Sequence, residues 1–108
     1  MAMVTLDAAD NGTTVTVPVG ATIEVRLAEN PTTGFRWALE PIAADSLVAL
    51  DDRYEPAPPM RIGSGGTRIF RFRAVAAGSA ALALRHWQAW SGEESITERF
   101  AVELCIVP

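Results

Sequence analysis

At 108 residues the chain has the size of one ordinary domain, taken here as residues 1–108, and such a length buries roughly 60–70% of the unfolded surface. Hydrophobic residues at 49% and a mean hydropathy of +0.17 exclude a disordered chain, and a formal charge of −4 argues against nucleic acid as a partner. All nine basic residues are arginine, which excludes lysine-based covalent chemistry, and the single cysteine, Cys105, excludes an intrachain disulfide.

The periodicity along the chain is two. Met1-Ala2-Met3 leads directly into a strand pattern over Met3–Asp7, with no charged and apolar leader of the signal-peptide kind. Location therefore stays open between a periplasmic or secreted and a cytoplasmic one. No apolar run approaches the ~20 residues that span a bilayer, so membrane insertion is not expected. Asp10-Asn11-Gly12 signals a turn, Thr14–Val17 alternates, and Thr22–Leu27 puts Ile23, Val25 and Leu27 on one face.

Asn30-Pro31-Thr32-Thr33-Gly34 follows. Pro31 fixes its own φ and pushes Asn30 toward an extended conformation, and Gly34 is free to take a positive φ where the chain swings back. Two β-branched threonines sit between them, so the segment reads as a shaped tip presenting backbone and two hydroxyls. An ordinary turn uses the same residue types. Phe35, Trp37 and Leu39 then share one face.

Ser46–Leu50 suits a short strand or a helical turn. Asp51–Pro59, with Tyr54 and three prolines, suits an edge strand or an extended connector. Gly63-Ser64-Gly65-Gly66 is the densest glycine cluster. Phe70 and Phe72 alternate with Ile69, Arg71 and Arg73, and Ala80, Leu82 and Leu84 line the next strand. A polar-aromatic loop, Trp87–Glu94, precedes a last strand facing the core with Phe100, Val102, Leu104 and Ile106.

Short strands separated by turn signals predict an all-β fold, an immunoglobulin-like, Greek-key β-sandwich without a disulfide, with Trp37 buried between the sheets. With strands A to G running alternately up and down, the B–C loop (Asn30–Gly34), the D–E loop (Gly63–Gly66) and the F–G loop (Trp87–Gly92) fall at one end. Idle hairpin loops seldom expose tryptophan, a residue enriched in binding hot spots, and glycine admits close approach to the backbone. The convergence points to a binding surface.

Enzymatic chemistry has little to stand on. His86 is the only histidine, and no carboxylate pair or nucleophilic serine stands out beside it. Asp51-Asp52 and Glu93-Glu94 are adjacent acids whose side chains diverge on a strand, so neither a metal site nor a cofactor is expected. Cys105 reads as a small packing residue on the last strand.

Asn30–Gly34 followed by aromatic Phe35, Gly63-x-Gly65-Gly66, and a tryptophan-bearing last loop together resemble the chagasin-type inhibitors of papain-like cysteine peptidases. The likeness covers nearly the whole chain, with Tyr54, Ala76-Ala77-Gly78 and Glu98-Arg99-Phe100 adding to it. It departs in the third motif: Gln88 and Ala89 stand where arginine and proline are usual, with Trp90 as the matching tryptophan by ungapped spacing. Aligning Arg85-His86-Trp87 instead restores the arginine but needs a gap. The missing proline implies a looser free loop and a larger ordering cost on binding.

The resemblance implies a reversible, non-covalent inhibitor, a monomer when free, with a papain-like cysteine peptidase, endogenous or foreign, as its partner. The implied contact residues are Asn30, Pro31, Thr32, Thr33, Gly34 and Phe35, then Gly63, Ser64, Gly65 and Gly66, then Trp87, Gln88, Ala89 and Trp90. The rival reading is an immunoglobulin-like glycan-binding or adhesion module, which predicts Trp37, Trp87 or Trp90 as a flat platform on a sheet face.

Overall fold

Among the described residues, period-two alternation becomes eight strands in two four-stranded sheets. In the first, β1 (Met3–Asp7), β3 (Thr22–Glu29), β6 (Gly66–Ala74) and β5 (Leu47–Pro56) lie in the order β1-β3-β6-β5; in the second, β2 (Thr14–Pro18), β8 (Glu98–Val107), β7 (Gly78–Trp87) and β4 (Arg36–Leu39) lie in the order β2-β8-β7-β4. This computed structural model describes residues 2–42, 45–57 and 65–108. Gly63 and Ser64 of the glycine cluster, and Pro58 and Pro59, lie outside the described residues. The architecture is all-β and immunoglobulin-like, and Cys105 is free and exposed.

The core is the sum of the inward faces. Ile23, Val25 and Leu27 of β3, Phe70 and Phe72 of β6, Leu82 and Leu84 of β7, and Phe100, Val102, Leu104 and Ile106 of β8 are all buried in one cluster. Trp37 joins them at 8% exposure and donates its indole N–H to the Ala28 carbonyl at 2.9 Å. Leu47–Pro56 forms one long edge strand, broken by a bulge between Ala49 and Asp51. A bulged, charged edge discourages pairing with another chain.

Two expectations change. The sheets are mixed rather than purely antiparallel: β1 pairs with β3, and β2 with β8, in parallel. The chain alternates between sheets over its first four strands, so β1 and β3 meet side by side running the same way. Ile69, on the solvent face of β6, is fully buried. Its cross-strand neighbours are Arg26 and Arg53, whose aliphatic stems lie on the same face while their guanidinium groups pair with Glu24 and Glu55.

Strand direction still alternates along the chain, so every odd-numbered strand points toward one end. The β3–β4, β5–β6 and β7–β8 loops therefore share that end. The β1–β2 connection lies there too but is set back, with Asn11 and Gly12 hydrogen-bonded to the backbone of Ala101.

Candidate functional site

Asn30 starts the first loop in an extended conformation (φ −121°), Pro31–Thr33 form one 3-10 turn, and Gly34 closes it at φ +79°. The Asn30 side-chain oxygen accepts the Thr32 N–H at 3.1 Å and the Thr32 hydroxyl at 2.7 Å. The Thr33 hydroxyl donates to the Asn30 carbonyl at 2.8 Å and accepts the Phe35 N–H at 3.3 Å. Both hydroxyl protons are thus used inside the loop. What the exposed threonines offer outward is methyl groups and oxygen lone pairs on a pre-shaped turn.

The base of this loop is tied by a residue that the sequence reading passed over. Glu29 is 3% exposed; one carboxylate oxygen accepts the Trp37 backbone N–H at 2.7 Å, and the other meets the Arg68 guanidinium at 2.8 and 3.0 Å. Arg68 also lies 5.6 Å from the Tyr54 ring centroid and 3.4 Å from Asp52. The signal was present: Glu29 continues the inward parity of Ile23, Val25 and Leu27, and Arg68 that of Phe70 and Phe72. An inward carboxylate and an inward guanidinium near one strand end satisfy each other.

Gly65 and Gly66 begin β6 beside this base. Gly65 has φ +74°, and a Cβ there would stand 3.1 Å from the Glu29 carbonyl. A Cβ on Gly66 would meet the Tyr54 hydroxyl at 2.7 Å. The side of Gly66 that lacks a side chain is therefore filled by the chain's own β5, which accounts for this glycine without any partner.

In the third loop Gln88 leads into two short 3-10 turns, Ala89–Ser91 and Glu93–Ser95. Ser95 stitches them: its hydroxyl accepts the Gln88 N–H at 2.9 Å and lies 2.7 Å from the Gly92 carbonyl and 3.0 Å from that of Gln88. Ser91 bonds the Gln88 side chain at 3.3 Å. These bonds supply order where the sequence lacks a proline. Trp90 is 74% exposed, yet the edge of its ring lies against Gly34, where a Cβ would stand 2.8 Å from it. Phe35 stacks on His86 at 5.6 Å, and His86 lies 5.1 Å from Trp37 and bonds the Thr97 hydroxyl at 2.7 Å.

The described sequence-predicted residues thus gather at one end, and Trp87 differs from Trp90 in setting. Trp87 ends β7, half-buried, with the Arg85 guanidinium 3.8 Å above its ring. Trp37 faces the core, Trp87 the outside of the second sheet, and Trp90 a loop tip. Of the three, Trp87 is the one on a sheet face, and its ring carries the Arg85 guanidinium instead of lying open as a flat platform.

A sandwich whose shaped loops and exposed aromatic converge on one end has the form of a protein-binding domain. The model of the chagasin family peptidase inhibitors (I42) matches residues 16–104, and chagasin of Trypanosoma cruzi is 38% identical over 100 residues, covering 89% of this chain and 91% of chagasin. The chain belongs to the chagasin family of peptidase inhibitors, proteins that inhibit cysteine peptidases and are not themselves enzymes. The fold agrees. A cysteine protease inhibitor from Entamoeba histolytica, EhICP2, superposes with a TM-score of 0.87 at 21% identity, over 98% of this chain and 96% of that one. PbICP-C, solved in complex with falcipain-2, gives 0.65 at 14% identity, over 98% and 99%.

Proposed function

We propose that the three-loop end is the peptidase-binding surface and that it blocks the cleft of papain-like cysteine peptidases without a covalent step. Papain-like enzymes hold a thiolate–imidazolium pair in an open groove. The turn at Pro31–Thr33 enters this groove with Thr32 nearest the catalytic pair and Thr33 beside it. Gly65 and the preceding glycine cluster run along one wall, and Trp90 packs on the other. The single observation that supports this most is the internal bonding of the Asn30–Phe35 turn, which fixes its shape before binding and reduces the entropy lost on docking.

The test is steady-state inhibition of papain and a cathepsin-L-like peptidase by the wild type, Thr32→Ala, Trp90→Ala and Trp87→Ala. Tight, reversible inhibition weakened by the first two changes is the expected result. Dependence on Trp87 but not Trp90 would reverse the roles of the two tryptophans, and no inhibition at micromolar protein would overturn the reading. Mass spectrometry during inhibition should find residues 30–34 uncut.

A further inference from the structure

Most of the described arginines are neutralised at home. Arg26, Arg53, Arg68, Arg71 and Arg99 each sit in an ion pair, the last with Glu40 at 3.0 Å. Arg36, Arg73 and Arg85 do not: among the described residues none of these three guanidinium groups has an ion pair or hydrogen bond, and the Arg85 Nε is buried without a partner. Arg36 and Arg85 are placed together, whereas Arg73 lies at the far end of the first sheet. Arg36 is the first residue of β4, immediately after the Asn30–Phe35 turn, and Trp87 is the last residue of β7, immediately before the Trp90 loop. Arg36 and Trp87 are register partners, so both project from the outer face of the second sheet, and Arg85 stacks over Trp87 on that face.

We propose that Arg36, with Trp87 and Arg85 beside it, forms a second contact that grips an acidic surface on the rim of the target peptidase's cleft. The proposal rests on the reading that the loop end binds the peptidase, and it adds a determinant of which peptidases are bound well. The patch is continuous with two of the three loops, so a partner seated on the loops lies over it. Arginine and tryptophan are both enriched at protein hot spots, and an unpaired guanidinium fits a carboxylate with two parallel hydrogen bonds. Stacking on Trp87 holds Arg85 in place before binding and adds rigidity to the tryptophan. An acidic rim would steer the inhibitor in by long-range attraction even though the chain as a whole carries a net −4.

The experiment compares wild type, Arg36→Glu and Arg73→Glu as inhibitors of a cathepsin-L-like peptidase with an acidic cleft rim, across a salt series. Arg73 is also exposed, but it pairs with Thr22 at the far end of the first sheet, so it makes the same charge change away from the loops. Both positions are exposed, and far-UV circular dichroism should match the wild type. Arg36→Glu should slow association and weaken inhibition about tenfold at low salt, with the gap closing as salt rises, and Arg73→Glu should stay within about twofold. Equal effects of the two reversals would show net charge alone and overturn the inference. Wild-type inhibition indifferent to Arg36→Glu would overturn it while leaving the proposed function standing; absence of wild-type inhibition would overturn both.

Discussion

The Glu29 carboxylate accepts the backbone N–H of Trp37 across eight residues, closing the β3–β4 loop at its base while its other oxygen holds Arg68. The loop's entry and exit are thus fixed to one buried anion, which ties the Pro31–Thr33 turn to the core through Trp37. Removing the anion leaves the Trp37 N–H without this acceptor and leaves the part-buried Arg68 charge with only the longer Asp52 contact at 3.4 Å. Glu29→Ala should therefore lower stability by about 3–5 kcal/mol, read from urea denaturation. Glu29→Gln together with Arg68→Met, which leaves an acceptor for Trp37 and no charge, should recover much of that loss. A loss under about 1 kcal/mol for Glu29→Ala would mean that the loop base is held by packing alone.

Gly66 gives a second, independent test of what is structural at this end. Gly66→Ala forces a methyl group against the Tyr54 hydroxyl, and Pro56 Cα at 2.8 Å leaves little room to move. Overpacking of this kind costs about 1–3 kcal/mol. The effect should appear as a lowered denaturation midpoint, with inhibition per folded molecule changing little. A variant of wild-type stability that no longer inhibits would instead make Gly66 a direct contact.

The fold was readable because its grammar is local. Parity along β3, β7 and β8 named the buried residues, and up-down alternation brought three loops to one end even though two strand pairs are parallel, since each parallel pair, β1 with β3 and β2 with β8, joins two strands that are both odd-numbered or both even-numbered. The turn at Asn30–Gly34 was legible from Pro31 and Gly34, whose backbone restrictions act without help from the rest of the chain. Glu29, Arg68 and Ser95 were not picked out, because their roles depend on partners 8, 39 and 7 residues away, respectively. Charged residues on an inward parity are the one sequence signal that would have flagged the first two. The glycine cluster was read as a surface for a partner, whereas Gly66 is explained by β5.

Acid should weaken the outer face of the first sheet in a defined window. The Arg71 guanidinium, hydrogen-bonded to Asp51 at 2.9 Å, holds that carboxyl below its ordinary range, and charge attraction adds to the effect. A carboxyl whose folded value is depressed contributes stability that is fully present above its unfolded value and is lost as pH falls through the folded one. The loss therefore falls below about pH 4. The pair is exposed, so its contribution is modest. Asp51→Asn should lower the unfolding midpoint slightly at neutral pH, and the difference from wild type should vanish in strong acid. A difference that persists unchanged in strong acid would mean that the effect of the substitution does not come from the ion pair.

Ser95 separates order in the third loop from stability of the fold. Its hydroxyl bridges the two 3-10 turns, and without it the half-buried Gln88 N–H loses this acceptor. The bonds lie outside the sandwich, so Ser95→Ala should lower stability by no more than about 1 kcal/mol. In the proposed binding mode the effect is different, because a loosened loop has to be ordered again each time Trp90 docks. The cost should fall mainly on dissociation, since variants of one interface differ mostly in off-rate. Single-turnover or surface-based kinetics should then show a several-fold faster release at nearly unchanged association. If release were unaffected, the Trp90 ring against Gly34 would be enough to hold the loop, and the Gln88–Ser95 bonds would belong to the fold alone.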